Sequence, residues 1–210
     1  KSLDYLMRIY PSTKDWSKGI SHKKAIVRTK DKKLLHNLAN FYCELATRAL
    51  EEDNFIEVIE LLELALTYDA NSCRANWLLA QIYENHQQYN EACKCYQDIY
   101  HQDKEFFPDV IDKMHHCYSQ LNADDEYFKF IKKVYDETGG SSALIKYLSH
   151  IESKFGKGKS KEFILLALKK RPTIKGFKHF IKMQMLNSTE LDNTENLDMI
   201  KDLIAAYLNL

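Results

Sequence analysis

Three groups of side chains have the types that could do chemistry. His115-His116-Cys117 offers two imidazoles and a thiol, a set that zinc accepts. Gly158-Lys159-Ser160 reads like the end of a phosphate-binding loop, in which lysine and hydroxyl hold phosphate and magnesium. Cys93-x-Cys95, with Cys43, Cys73 and Cys117, offers thiols for metal or disulfide. Each fails on spacing. Adjacent helical residues point about 100° apart, so 115–117 cannot face one ion, and His115 falls on the packing face. The glycine that a phosphate loop needs five positions before Gly158 is Ser153, and no strand precedes it. Gly156 to Gly158 reads instead as a turn between helices. Cys93-x-Cys95 lacks the two-residue gap and the second pair of a zinc ribbon. Five thiols within helical pattern read as buried free cysteines of a reducing compartment. Spacing alone supports no Ser-His-Asp or Cys-His constellation. A non-enzymatic chain with no cofactor of its own is expected.

The elements that position these residues are helices. Six Gly and three Pro in 210 residues leave little punctuation, which favours long helices over a many-stranded sheet. No run approaches a membrane span and no signal peptide opens the chain. It begins at Lys1 rather than Met, as an excised fragment would. From Cys73 to Phe106, Ala80, Tyr83, Tyr89, Ala92 and Tyr96 alternate small and aromatic residues. Ala46, Phe55, Val58, Leu62 and Ala65 repeat the arrangement 34 residues upstream. That period and content are the signature of tetratricopeptide repeats, helix–turn–helix units that must stack to bury their apolar faces. The expected fold is all-α: about twelve helices in six antiparallel pairs forming a right-handed solenoid. The approximate units are 1–33, 34–70, 71–107, 108–140, 141–172 and 173–210.

Local signals place the helices. Tyr5, Leu6, Ile9 and Tyr10 mark a first helix before Pro11, and Trp16, Gly19 and Ile26 follow in the turn and second helix. Thr29 to Lys33 reads as a polar link. Asp53-Asn54 and Asn71-Ser72 read as a turn and a cap, Gln87-Gln88-Tyr89 as a turn, and Pro108 as a first-turn proline. Gly139-Gly140 and Ser141-Ser142 end one helix and cap the next. Pro172 closes the fifth unit. The last pair is joined by Asn187 to Thr194. Its apolar end, Ile204 to Leu210, has no capping repeat, so a homodimer contact is possible there.

In such repeats the first helix of each pair lines a concave groove. Counting from the repeat starts puts Asn40, Cys43 and Thr47 on it, then Arg74, Trp77, Gln81 and Glu84, then Asp112, His116 and Ser119. Trp77 stands one position after the place where the repeat usually buries its large residue, so its ring is expected to point into the groove. There, beside Arg74, it would be a binding anchor; packing against a neighbouring repeat or a C-terminal domain outside these residues is the alternative. No nucleic-acid partner is expected; formal charge is zero but unevenly spread. Residues 1–33 hold ten Lys/Arg against three acids, and residues 153–182 ten against Glu162 alone. Solvated faces account for such runs, and so does an anionic membrane surface or acidic partner. Lys154, Lys157, Lys159 and Lys161 form the basic patch proper.

Several strings go beyond the generic repeat: Phe41-Tyr42-Cys43-Glu44-Leu45-Ala46, Asn71-Ser72-Cys73-Arg74, Gln102-Asp103-Lys104-Glu105, Cys117-Tyr118-Ser119-Gln120-Leu121 and Arg171-Pro172-Thr173. In this order and at these separations the chain resembles the bacterial lipopolysaccharide assembly protein B family, over essentially its whole length. The resemblance implies a non-enzymatic adaptor on the cytoplasmic face of the inner membrane. Its partners would be the LpxC deacetylase, the membrane protease FtsH and a lipopolysaccharide-sensing inner-membrane regulator. It also implies an N-terminal membrane helix and a C-terminal rubredoxin-type domain holding zinc or iron on two Cys-x-x-Cys pairs, neither of which lies within these residues. A generic repeat scaffold or chaperone is the alternative, and a small-molecule sensor a further one. Stoichiometric binding of an acyl-glycolipid or nucleotide distinguishes the sensor.

Overall fold

The computed structural model describes residues 16–171, 173–185 and 201. Every element among them is an α-helix. Two short segments, α1 (Trp16–Ser21) and α2 (Lys23–Thr29), precede the hairpin of α3 (Lys32–Glu51) and α4 (Phe55–Tyr68). Then come α5 (Cys73–Asn85) and α6 (Tyr89–Gln102), α7 (Phe107–Gln120) and α8 (Asp124–Thr138), α9 (Ser141–Phe155) and α10 (Lys157–Lys170), and α11 (Ile174–Met185). Cys73, Phe107 and Ser141, which open α5, α7 and α9, stand 34 residues apart in succession, the length of a tetratricopeptide repeat. The all-α class expected from the sequence is the one observed.

Polar side chains set the helix starts. Asp31 Oδ1 accepts from the backbone N–H groups of Lys33 (2.9 Å) and Leu34 (3.4 Å). Asn54 accepts from the Glu57 N–H and donates to Glu57 Oε2 (2.7 Å), a reciprocal cap. Ser72 Oγ accepts from the Ala75 N–H, and Pro108 sits in the first turn of α7. The turns that follow α3, α5 and α7 each pass through a left-handed residue: Asp53 (φ 56°), Gln87 (φ 60°) and Asn122 (φ 54°).

The chain divides into two compact units, Lys1–Asn122 and Ala123–Leu210. The first is cored by Leu38 and Ala46 of α3, Leu62 and Ala65 of α4, Ala80 of α5, Tyr96 and Ile99 of α6, and Val110 and Met114 of α7. Small residues beside rings let helix axes approach while the rings fill the gaps. The second unit buries Tyr127 and Ile131 of α8, Leu144 and Leu148 of α9, Ile164 and Leu168 of α10, and Phe180 of α11.

Four expectations need correction. The link at Thr29–Lys33 is shorter than expected, because Thr29 ends α2 and Lys32 already opens α3. Gly140, not a serine, is the N-cap of α9; Ser141 and Ser142 lie inside the helix. The turn before α10 is Gly156 alone (φ 84°, ψ 170°), and Gly158 lies within α10. Phe55 does not fill the core: it is 37% exposed, its ring meeting His86 edge-on at 4.2 Å. Tyr5 to Pro11, Pro172, and the joining segment and apolar end of the last unit lie outside the described residues.

Candidate protein-binding site

Within the first unit, α3, α5 and α7 are tied in a row by side chains. Arg74 Nη1 of α5 lies 2.7 Å from Glu44 Oε1 of α3. Glu84 of α5 reaches Lys113 Nζ of α7 at 3.9 Å. Between these pairs stands Trp77. Its ring packs against Phe106 (centroids 5.8 Å apart, 79°) and Tyr96 (6.3 Å, 60°), and Lys113 Nζ lies 5.5 Å from its centroid, within cation–π range. The Tyr96 hydroxyl donates to Glu84 Oε2 at 2.9 Å. Burial, then this carboxylate, hold that phenol above its ordinary pKa.

The ring expected to point into the groove is therefore half-buried, with Phe106 and Lys113 against it. Arg74 is exposed but engaged by Glu44. Gln81 Nε2 donates to the Trp77 carbonyl at 3.4 Å. Cys43 needs correction: it is fully buried, so it offers no groove surface, and burial pushes its thiol up to about 11. Thr47 Oγ1 donates to the Cys43 carbonyl, and Asn40 is half-buried. Asp112 and His116 are exposed and Ser119 half-buried. His116 turns toward Tyr89 of α6 (6.2 Å, 88°), away from the Trp77 cluster. Glu44, Phe106, Lys113 and Tyr96 complete this cluster and were missed. The available signal was opposite charges about 30 residues apart on successive first helices, Glu44 with Arg74 and Glu84 with Lys113.

The other groups that could do chemistry are spoken for. Cys93 is raised by its hydrogen bond with Cys117 and by burial, and burial pushes Cys95 up to about 12. Neutral buried thiols are poor nucleophiles. Ser160 of the phosphate-loop look-alike is fully buried and donates to the Leu148 carbonyl at 3.2 Å, a tie between α10 and α9. Among the described residues no three His, Cys, Asp or Glu side chains converge as metal ligands, and no helix is long and apolar enough to cross a membrane. In the basic patch, Lys154 engages Asp125 and Lys159 engages Glu162 at 3.0 Å. Lys157 is exposed and Lys161 half-buried.

The class these observations define is a tetratricopeptide-type protein whose first-helix face is set with an aromatic and ion-pair cluster. No family model matches the chain. It is similar, at 25% identity over 203 residues, to lipopolysaccharide assembly protein B of Escherichia coli strain K12, covering 97% of this chain and 52% of that protein. The protein of the same name from Haemophilus influenzae is also 25% identical, with 97% and 51% covered. The resemblance expected from the sequence strings is thus borne out. The chain spans about half the length of the curated relatives it matches. Similar solved structures include MamA (TM-score 0.43, 14% identity, 87% of this chain and 96% of that one). Another is YrrB, described as a TPR protein with an unusual peptide-binding site (TM-score 0.41, 15% identity, 86% and 91% covered). None of these relatives carries the name of an enzyme.

Proposed function

We propose that residues 1–210 form the repeat region of a protein-binding adaptor in lipopolysaccharide assembly, one that works by contact and has no chemistry of its own. The observation that carries this reading is the likeness to lipopolysaccharide assembly protein B along 97% of the chain in two bacterial genera. In its finer form the adaptor presents the LpxC deacetylase to FtsH, and an inner-membrane regulator opposes it. A partner segment would lie across α3, α5 and α7, with the Trp77 ring as its anchor. A ring held in place by its neighbours and still partly exposed costs little entropy to order on binding. The exposed cations of the Glu44–Arg74 and Glu84–Lys113 pairs flanking it can exchange partners with incoming charges, since surface ion pairs are each worth only about 0–1 kcal/mol. The basic helices α10 and α11 fit a position near an anionic cytoplasmic leaflet.

The test is co-purification of the chain with LpxC and, separately, with FtsH, repeated with Trp77→Glu and Arg74→Glu. Retention of either partner, lost in the variants while the helical signal stays intact, is the expected result. Retention by neither would remove the adaptor surface from these residues. Retention unchanged by both substitutions would move it off the first-helix face.

A further inference from the structure

The second unit holds a cavity of about 170 Å³ between α8 and α10, separate from the Trp77 cluster. Tyr135, Phe163 and Ala167 make its apolar wall, Leu166 stands at its mouth, and Lys170 and Arg171 lie at its edge. The wall is well ordered by packing: Tyr135 and Ala167 are buried. Phe163 is fixed between Tyr135 (6.2 Å) and Tyr147 (5.2 Å). Leu166 is 62% exposed, a large apolar side chain facing solvent.

Charge at the mouth is unbalanced. Asp136, the one acid lining the cavity, accepts from Lys132 Nζ at 2.8 Å on its own helix. Lys170 and Arg171 are exposed and have no ion-pair partner among the described residues. The aliphatic stem of Arg171 runs past Gly139: a Cβ at that glycine would lie 2.8 Å from Arg171 Cδ. Gly139 thus leaves room for the arginine to lie along the end of α8. Burial raises the Tyr135 phenol, and the guanidinium of Arg171 at the cavity's edge acts against it.

Size and charge together select the occupant. An enclosed cavity of about 150 Å³ takes one benzene ring, so this one, open on one side, has room for a single large side chain. Two uncompensated cations at the mouth call for two negative charges beside that side chain. We infer that the α8–α10 cavity binds a linear peptide segment of a partner protein in which one large apolar residue is flanked by acidic residues. The apolar side chain enters against Tyr135 and Phe163, and the carboxylates meet Lys170 and Arg171. This reading does not depend on the Trp77 face or on the identity of the partners proposed for it.

The probe is a fluorescein-labelled, C-terminally amidated peptide carrying Gly-Glu-Phe-Glu-Gly, titrated against the whole chain by fluorescence anisotropy. Expected are saturable binding that weakens with salt, and at least a tenfold loss with the Gln-Phe-Gln or the Glu-Ala-Glu peptide. Lys170→Gln and Arg171→Ala should each weaken binding about tenfold while the thermal melt stays close to the parent's. If Arg171→Ala melts early, Lys170→Glu decides: it should lose the acidic peptide and gain the Lys-Phe-Lys one. Amide shift changes on ¹⁵N-labelled protein should centre on Tyr135, Phe163 and Leu166. Equal affinity for the Glu and Gln peptides, indifference to both cation substitutions, or shifts centred on Trp77 would each overturn the inference. So would binding of octyl phosphate as tight as that of the peptide, which would make the site one for small amphiphiles.

Discussion

Trp77 illustrates how a binding anchor is held ready. Phe106 stands just before α7 and Lys113 lies within it, so the ring is both a stitch to the next helix and a surface. Part of the ring still faces solvent, and Trp77→Ala should cost about 1–3 kcal/mol, below the roughly 3–5 of a fully buried aromatic. Urea unfolding measures this directly, and a loss at the core level would make the ring structural alone. Tyr96 is the more demanding test of the cluster. Tyr96→Phe keeps the packed ring but removes the hydroxyl that donates to Glu84. Hydrogen bonds to charged groups are worth roughly 1.5–3 kcal/mol, so a drop of that order is expected. Stability equal to the parent's would show that Lys113 and water satisfy Glu84 without it.

At the scale of elements, the turns decide where helices begin. Gly156 occupies a backbone region with φ 84° and ψ 170° that is open essentially to glycine alone. A Cβ there would meet nothing within 4 Å, so strain in Gly156→Ala would be purely conformational, roughly 1–3 kcal/mol. Gly158, two residues on, is inside α10 with open space around its Cα. Gly158→Ala should therefore stabilise, by about 0.5–1 kcal/mol. The pair gives opposite shifts in melting temperature. Two losses would return Gly158 to the turn. The caps at Asn54 and Ser72, the first-turn proline at 108 and the left-handed Gly139 were legible in the sequence, because each acts through neighbours a few residues away. The Ser141-Ser142 cap and the three-residue glycine turn were misread for the same reason. Several local candidates stood side by side, and burial of Leu144 and Ser160 set which register won.

Across the whole molecule, repeats meet chiefly their neighbours, so damage should stay local. Leu62 is fully buried in α4, and Leu62→Ala should cost about 2–5 kcal/mol. Hydrogen exchange should speed up in α3 to α6 while α9 and α10 keep their protection. Equal acceleration in every helix would mean that the chain unfolds as a single cooperative body.

The period of 34, the small–aromatic alternation and the scarcity of glycine and proline were enough to determine an all-α chain of paired helices. These features encode what each residue does within its own turn and its own hairpin. The composition of the candidate sites was decided only by tertiary structure. Cys43 and Trp77 both fall on the first helices, yet one is sealed and the other half-open, because neighbouring hairpins cover them differently. Lys113 and Phe106 join Trp77, and Lys170 and Arg171 line one cavity with Tyr135, across separations that no helical period encodes. Stacking brings those side chains together, and the fine fit of one hairpin on the next lies in packing, which a count along the chain does not contain.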